Sequence, residues 1–200
     1  MKKLNCIVMC LLLLLLTACS VSENSNASII TKNEDAIERS LIESSDYYKL
    51  YDNTLSETLE IYNSKGELVR TITTEEPISI TMLNKSIIDI SIGKGTGLTK
   101  HTYYSVKLDD FSDDFSYVIC ASNELIAYVG ISKDGLDNKT LIVQNIFNGN
   151  RYYKEFIGAF DQVDTYELSS MSGEFSQDFS TLTVHYYLKN QQQISKSFNL

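Results

Sequence analysis

From Tyr47 to the end of the chain, apolar and polar residues alternate with a period of two. Successive side chains of a β-strand point to opposite faces of its sheet, so this alternation predicts strands with one apolar face. The pattern is clearest at 88–92, where isoleucines alternate with Asp89 and Ser91. A chain with this pattern is expected to form an all-β body.

Short polar turn segments separate the predicted strands. The predicted hairpins pair 59–62 with 68–72, 78–82 with 88–92, 117–121 with 125–129, 141–147 with 151–156, and 181–188 with 193–198. Pro77 stands directly before one strand, a position that a strand tolerates. Asn148-Gly149 suits a type I′ turn, whose two positive φ angles match the twist of paired strands. Local turns of this kind predict an antiparallel meander of short strands.

One segment before the strands has partial helical spacing. After a cap residue, Asn33, residues 33–45 place apolar side chains at Ala36, Ile37, Leu41 and Ile42. This spacing predicts a short N-terminal helix that packs on the body, and a coil is the alternative.

Two similar segments suggest an internal repeat. Phe-Ser-Asp-Asp-Phe-Ser at 111–116 recurs at 175–180 with one substitution, and an alternating strand follows each copy. With the strand–loop–strand unit at 141–156, this order resembles the blade pattern of bacterial β-propeller repeats over 111–200, with a partial unit at 58–110. Chance similarity of two loops is the alternative.

The propeller resemblance implies blade-like sheets, but the chain departs from the family in two ways. The family's Pro-Asp-Gly after Phe-Ser is absent, and a body of about 155 residues is barely long enough for four blades. We therefore expect blade-like sheets that pack as a sandwich or form an incomplete propeller.

The N-terminus has the three parts of a secretory signal peptide. Lys2 and Lys3 precede the apolar run 7–16, and small residues follow it. The run is too short to cross a bilayer as a mature helix. The four residues that close this segment resemble the lipobox of bacterial lipoproteins: Leu16, Thr17, Ala18 and Cys19.

The lipobox resemblance implies the organisation of the whole chain. Cys19 would carry a diacylglyceryl group on its sulfur, and cleavage before it would remove the signal peptide at 1–18. Residues 19–33 are then the lipidated cysteine and a flexible tether rich in Ser and Asn. Residues 34–200 are a single β-rich domain, held at the extracytoplasmic face of the cell membrane.

Charge excludes one class of partner. The chain has 26 acidic and 17 basic residues, a formal net charge of -9, and no cluster of Lys and Arg. Nucleic-acid binding needs such a cluster to contact phosphates, so no nucleic-acid partner is expected. Attraction to an anionic membrane is excluded for the same reason, which leaves the lipid on Cys19 as the membrane contact.

The cysteines and histidines do not form a catalytic pattern in the sequence. Cys6 and Cys10 belong to the signal peptide, and Cys120 lies in an apolar run where a buried, unreactive thiol is expected. His101 and His185 are the only histidines, and His185 falls on the polar face of its predicted strand. We predict no catalytic residues, no metal site and no cofactor.

Three further patterns have a structural and a functional interpretation. The glycine-rich segment 93–97 lacks the order of a phosphate-binding loop and predicts a flexible hairpin loop. The acids of 109–114 and 134–138 predict solvated turns, with a weak calcium site as the alternative. Adjacent tyrosines such as 103–104 and 186–187 should send one ring inward and one outward, and outward rings would offer a binding surface.

These observations predict a binding protein rather than an enzyme. The expected role is a non-enzymatic binding or scaffolding domain for an extracytoplasmic protein, peptide or glycan. One alternative is an envelope polymer hydrolase that uses paired carboxylates in a cleft. The other is a small-molecule sensing or immunity lipoprotein, which would need an apolar pocket between sheets.

Overall fold

A computed structural model describes residues 39–95, 97–137, 139–148 and 151–200. Within these ranges the chain forms fifteen antiparallel strands and one short 3₁₀ helix, so the predicted all-β meander of short strands is confirmed. No helix in these ranges is long and apolar enough to cross a bilayer. The predicted signal peptide, Cys19 and the tether lie outside the described residues.

The strands form four sheets that follow one another along the chain. The first contains β1 (Ser40–Ser44), β2 (Tyr48–Asp52), β3 (Glu57–Tyr62) and β4 (Leu68–Thr74), and the second contains β5 (Ile78–Asn84), β6 (Ile87–Gly93), β7 (Thr99–Ser105) and β8 (Asp110–Ser116). The third contains β9 (Val118–Ser122), β10 (Leu125–Gly130), β11 (Thr140–Asn145) and β12 (Tyr153–Phe156). After a 3₁₀ helix at Thr165–Ser170, the fourth contains β13 (Ser172–Phe175), β14 (Thr181–Tyr187) and β15 (Gln193–Asn199).

The five predicted hairpins are all present. In the β3–β4 turn, Gly66 adopts φ 78°, which glycine tolerates without strain, and its N–H donates to Asn63 O at 3.0 Å. The β11–β12 connection is longer than predicted, because Ile146 and Phe147 leave the strand. Gly149, the second residue of the predicted Asn-Gly turn, lies outside the described residues.

Each pair of successive sheets encloses its own apolar core. Alternation on β6 sends Ile88 and Ile90 toward the first sheet and Ile87 toward the third. The core between the third and fourth sheets joins Leu141 and other β11 residues to β14 and β15. Within the described residues, no buried apolar cluster joins the first sheet to the fourth. The sheets therefore pack in chain order.

The second sheet is buried on both faces, which overturns one tyrosine prediction. Tyr104 packs in the core with the first sheet and Tyr103 in the core with the third, and both are fully buried. The expectation of one inward and one outward ring is wrong here, because it assumes one solvated face. It is confirmed on the fourth sheet, where Tyr186 is buried and Tyr187 is 40% exposed.

The predicted N-terminal helix is wrong over residues 40–44. These residues form β1, which pairs with β2 from Ser40 opposite Asp52 to Ser44 opposite Lys49. Leu41 and Ile42 are both more than half exposed, so no apolar helix face is buried there. The earlier part of the predicted helix lies outside the described residues.

The two similar hexapeptides adopt different structures. Residues 111–116 lie within β8, where Asp114 accepts hydrogen bonds from Lys100 and Thr102 on β7. Residues 175–180 run from the end of β13 into a turn, where Asp178 accepts hydrogen bonds from Ser176 and Ser180. The same residue types therefore bind a neighbouring strand in one case and their own turn in the other.

Candidate functional site

The interface between the second and third sheets is the least apolar of the three. Within the described residues, its core contains five buried apolar side chains, against ten and thirteen at the other two interfaces. Asp89 and His101 lie on the face of the second sheet that carries Tyr103 and points toward the third sheet. Polar groups and open space therefore concentrate at this interface.

A pocket opens at one end of this interface, where turns from both sheets meet. Its volume is about 280 Å³. An adjoining space of about 520 Å³ shares four of its residues. We call the combined space the turn groove and define it by six residues that line it: Ser86, Ile87, Lys107, Glu124, Phe147 and Arg151. The first volume lies just below the range of about 300–1,000 Å³ that is usual for small-molecule sites, and the second lies within it.

Two hydrogen bonds lie beside the groove, one between the two sheets and one within the third sheet. Asn84 Nδ2 at the end of β5 donates to Asn123 O in the β9–β10 turn at 3.4 Å. The N–H of Ile146 donates to Glu124 O at 2.8 Å. Asn123 has φ 53°, a left-handed conformation that asparagine tolerates better than most residues. A side-chain hydrogen bond therefore joins the two walls of the groove, and a backbone hydrogen bond holds the wall that the third sheet supplies.

The second and third sheets are also joined by a very short connection. β8 ends at Ser116 and β9 begins at Val118, so Tyr117 alone links the two sheets. Tyr117 has φ 51°, and its carbonyl accepts a hydrogen bond from Val129 N at 3.1 Å. A left-handed conformation is uncommon for a bulky residue and persists only where surrounding contacts hold it. This link limits how far the two sheets can separate.

The groove combines an apolar wall with charged turns. Ile87 is 3% exposed and Phe147 is half-buried, and together they supply the apolar surface. Lys107, Glu124 and Arg151 are exposed and bring two positive charges and one negative charge. No local sequence pattern predicts this site, because its residues come from four separate turns and the strand β6.

A second polar feature lies at the opposite end of the same interface. His101 Nδ1 is 3.0 Å from Asp89 Oδ1, and the His101 ring is nearly parallel to that of Tyr103 with centroids 6.4 Å apart. His101 and Tyr117 line a small cleft of about 80 Å³ together with Ser169. Burial, with a smaller contribution from the Asp89 charge, raises the pKa of the Tyr103 hydroxyl far above its ordinary value.

The arrangement around His101 does not form a nucleophilic site. Asp89 orients the imidazole through Nδ1, as a catalytic carboxylate would. Ser169 Oγ, however, donates to Tyr166 O at 3.2 Å, within its own helical turn. Nucleophilic catalysis requires a hydrogen bond from the nucleophile to its base. His101 and Asp89 therefore form a half-buried polar pair in this structure.

The acidic cluster at 109–114 is only partly in a turn. Asp109 lies in the β7–β8 turn, while Asp110, Asp113 and Asp114 belong to β8, so the turn prediction is wrong for those three. Burial acts to raise the pKa of Asp114, but hydrogen bonds from Thr102 and Lys100 outweigh it and lower the pKa. This carboxylate serves strand pairing.

The acids of the β10–β11 connection do lie in a turn, as predicted. A hydrogen bond from Ser132 and one from the N–H of Leu136 lower the pKa of Asp134. The N–H of Gly158 and the Thr140 hydroxyl lower the pKa of Asp137. Among the residues that the structure describes, no three His, Cys, Asp or Glu side chains are grouped to hold a metal ion.

The glycine-rich segment 93–97 and His185 lie where strand and turn geometry predicted them. The segment 93–97 joins β6 to β7 as a hairpin loop, closed by Lys94 N donating to Leu98 O at 2.8 Å, with Thr96 outside the described residues. His185 lies half-buried on β14 between the buried Val184 and Tyr186, as its alternation predicted. Both features are accounted for by strand geometry.

Cys120 packs at the edge of the core between the third and fourth sheets. The sequence predicted a buried thiol, and the structure instead leaves Cys120 half-buried. Burial, with a contribution from Glu174, raises the pKa of its thiol to about 12. A thiol with this pKa is mostly protonated at neutral pH, so the predicted lack of reactivity has a physical basis.

The outward-facing tyrosines do not form one surface. Tyr166 is 91% exposed on the 3₁₀ helix, and Tyr187 is exposed on the outer face of β14. Tyr153, half-buried on β12, donates to Glu155 Oε1 at 2.5 Å and lies under Lys133 Nζ. Because these rings belong to separate elements, the structure gives no support to a tyrosine binding patch.

Comparison with known proteins gives no family for this chain. No protein-family model and no curated protein matches the chain. Among solved structures, the crystal structure of Kluyvelomyces marxianus Hsv2 matches with 12% sequence identity and a TM-score of 0.37. The match covers 76% of this chain and 46% of that one, so the chain spans about half the length of this solved structure.

Proposed function

We propose that the chain is a lipid-anchored extracytoplasmic protein whose β domain binds its ligand or partner in the turn groove. The observation that carries the proposal is the groove itself, a space of about 280 Å³ between two sheets that the Tyr117 link and the Asn84 hydrogen bond join. Loops held on a rigid scaffold are the usual place for binding residues. The role is binding or scaffolding, as the sequence predicted.

The anchor in this proposal is Cys19. Its support is the lipobox-like Leu16-Thr17-Ala18-Cys19 and the acidic charge, which rules out electrostatic adhesion to an anionic membrane. Labelled palmitate should enter the wild-type protein and not Cys19→Ala, and only the wild type should lose its leader. An unlabelled wild type, or a leader left uncut, would contradict the anchor.

The arrangement of the domain in this proposal is blade-like. Four successive meander sheets, each packed on the next, support an incomplete propeller or a stacked sandwich. Either arrangement would bring turns of neighbouring sheets together at one end. The binding site would then lie between two blade-like sheets, as the turn groove does.

A small-molecule sensing role is the second candidate, and the groove favours it too. That role needs a pocket with apolar surface between sheets, which Ile87, Leu125 and Phe147 supply. The hydrolase alternative has no comparable support. A glycosidase acid needs a raised pKa, and in the described residues each carboxyl group with a resolved shift has a lowered pKa.

Filling the groove tests the proposal. We would compare wild type, Ser86→Trp and the control Ser64→Trp, since Ser86 lines the groove and Ser64 is exposed in the β3–β4 turn. After mild cross-linking on intact cells, co-purified material should be lost from Ser86→Trp alone. Thermal unfolding must show that both variants are folded. Equal recovery from both variants would contradict binding in the groove.

A further inference from the structure

Two cations of the turn groove come from opposite sides of it. Lys107 is in the β7–β8 turn of the second sheet, and Arg151 is in the β11–β12 connection of the third. Both are exposed and line the same pocket of about 280 Å³. A ligand between the two sheets would therefore be within reach of positive charge from both walls.

Neither cation forms an ion pair with a side chain in the part of the chain that the structure describes. The ion pairs there join Arg39 to Glu60, Lys100 to Asp114 and His101 to Asp89. In a chain with a net charge of -9, two cations that line one pocket give that pocket a local excess of positive charge.

The remaining polar groups fit an anion held at one end of the groove. Asn145 and Asn148, two residues with amide side chains, also line the pocket that contains Arg151. An arginine guanidinium binds a carboxylate or a phosphate through two parallel hydrogen bonds, and a lysine adds a point charge. Glu124 is the one carboxylate among the residues that line this pocket, and it would repel the anion.

We infer that the turn groove selects ligands that carry a carboxylate or a phosphate group, bound by Arg151 and Lys107 and oriented by repulsion from Glu124. This inference rests on the proposed function, because it names the ligand chemistry of the same groove. The volume of the pocket suits a small anion or the acidic end of a larger ligand.

Titration of the full chain in a non-ionic detergent tests the inference. The probes are inorganic phosphate and succinate at low salt, and glycerol is the neutral control. Isothermal titration calorimetry measures the affinity for each probe. Loss of a charged hydrogen bond should weaken anion binding about tenfold to a hundredfold in Arg151→Gln and Lys107→Gln. Lys65→Gln removes the same charge from an exposed turn outside the groove and should bind as the wild type does.

Glu124→Gln should change the anion affinity in the direction opposite to Arg151→Gln and Lys107→Gln. It therefore distinguishes an effect of charge from misfolding. Removal of the repelling carboxylate should tighten anion binding, which a damaged protein would not do. Binding of phosphate alone or succinate alone would support the inference and identify the anion.

Two results would overturn the inference: no binding of either anion, or equal weakening by Lys65→Gln and Arg151→Gln. Neither result would contradict binding in the groove itself, because the Ser86→Trp experiment measures co-purified cellular material rather than anion binding. Loss of capture in Ser86→Trp without anion binding would show a groove for uncharged ligands.

Discussion

His101 Nδ1 lies 3.0 Å from one carboxylate oxygen of Asp89 and 3.1 Å from the other, across the pairing of β6 with β7. The side chains are 21% and 14% exposed, respectively. This pair places a polar contact inside the interface between the second and third sheets, at the end opposite the turn groove.

Asp89→Asn should destabilise the domain. The amide keeps the shape of the carboxylate but loses its charge-assisted hydrogen bond to His101, and removal of such a bond at a partly buried site costs about 1–3 kcal/mol. Asp164→Asn is the matched control, since Asp164 is exposed and makes no side-chain capping bond. Urea unfolding should show a lower free energy of unfolding for Asp89→Asn, and equal values would contradict a stabilising pair.

The adjacent buried tyrosines should respond oppositely to loss of their hydroxyls. Tyr104 OH donates to Asp109 Oδ1 at 2.7 Å, so Tyr104→Phe should lower the free energy of unfolding by about 0.5–1.5 kcal/mol. The buried Tyr103 OH has no hydrogen-bond partner among the described residues, so Tyr103→Phe should be neutral or stabilising. Chemical unfolding of both variants checks this, and equal losses would refute it.

Cys120 should resist alkylation in the folded protein. Its pKa is raised to about 12, so at pH 8 very little thiolate is present to react. Iodoacetamide should label the thiol slowly in buffer and rapidly in urea, where the ordinary pKa returns. Cys120→Ala identifies the labelled site. Rapid labelling of the native protein would contradict the buried environment.

The β13–β14 turn should weaken in acid. Hydrogen bonds from Ser176 and Ser180 lower the pKa of Asp178 to about 2. The stabilisation is therefore complete above the unfolded-state pKa near 4 and is lost as pH falls toward 2. The melting temperature of wild type should exceed that of Asp178→Asn at pH 6, with a difference that shrinks below pH 4. A constant difference would contradict the linkage.

Local patterns predicted the hairpins, because a strand and its turn involve neighbouring residues. They did not predict β8, where Asp113 and Asp114 disfavour a strand. Residues 110–116 form a strand because they pair with β7. Phe115 is buried opposite His101, and Asp114 forms an ion pair with Lys100. An edge strand of this composition depends on contacts that a single sequence does not display.

The site was beyond prediction for a related reason. Alternation shows which residues of a strand share a face, but it does not show which sheet covers that face. The burial of both Tyr103 and Tyr104 and the meeting of Lys107 with Arg151 in one pocket follow from the order in which sheets pack. The lipobox-like segment, by contrast, is a contiguous motif, and its role stays a prediction.

The stacking of sheets in chain order has a kinetic consequence. Each core joins neighbouring sheets, so no buried apolar cluster in the described residues requires the first sheet to meet the fourth. Any one interface can therefore form before the others. Opening should likewise begin at the two outermost sheets, each of which is covered by a single neighbour, while the second and third sheets keep their amide protons longest.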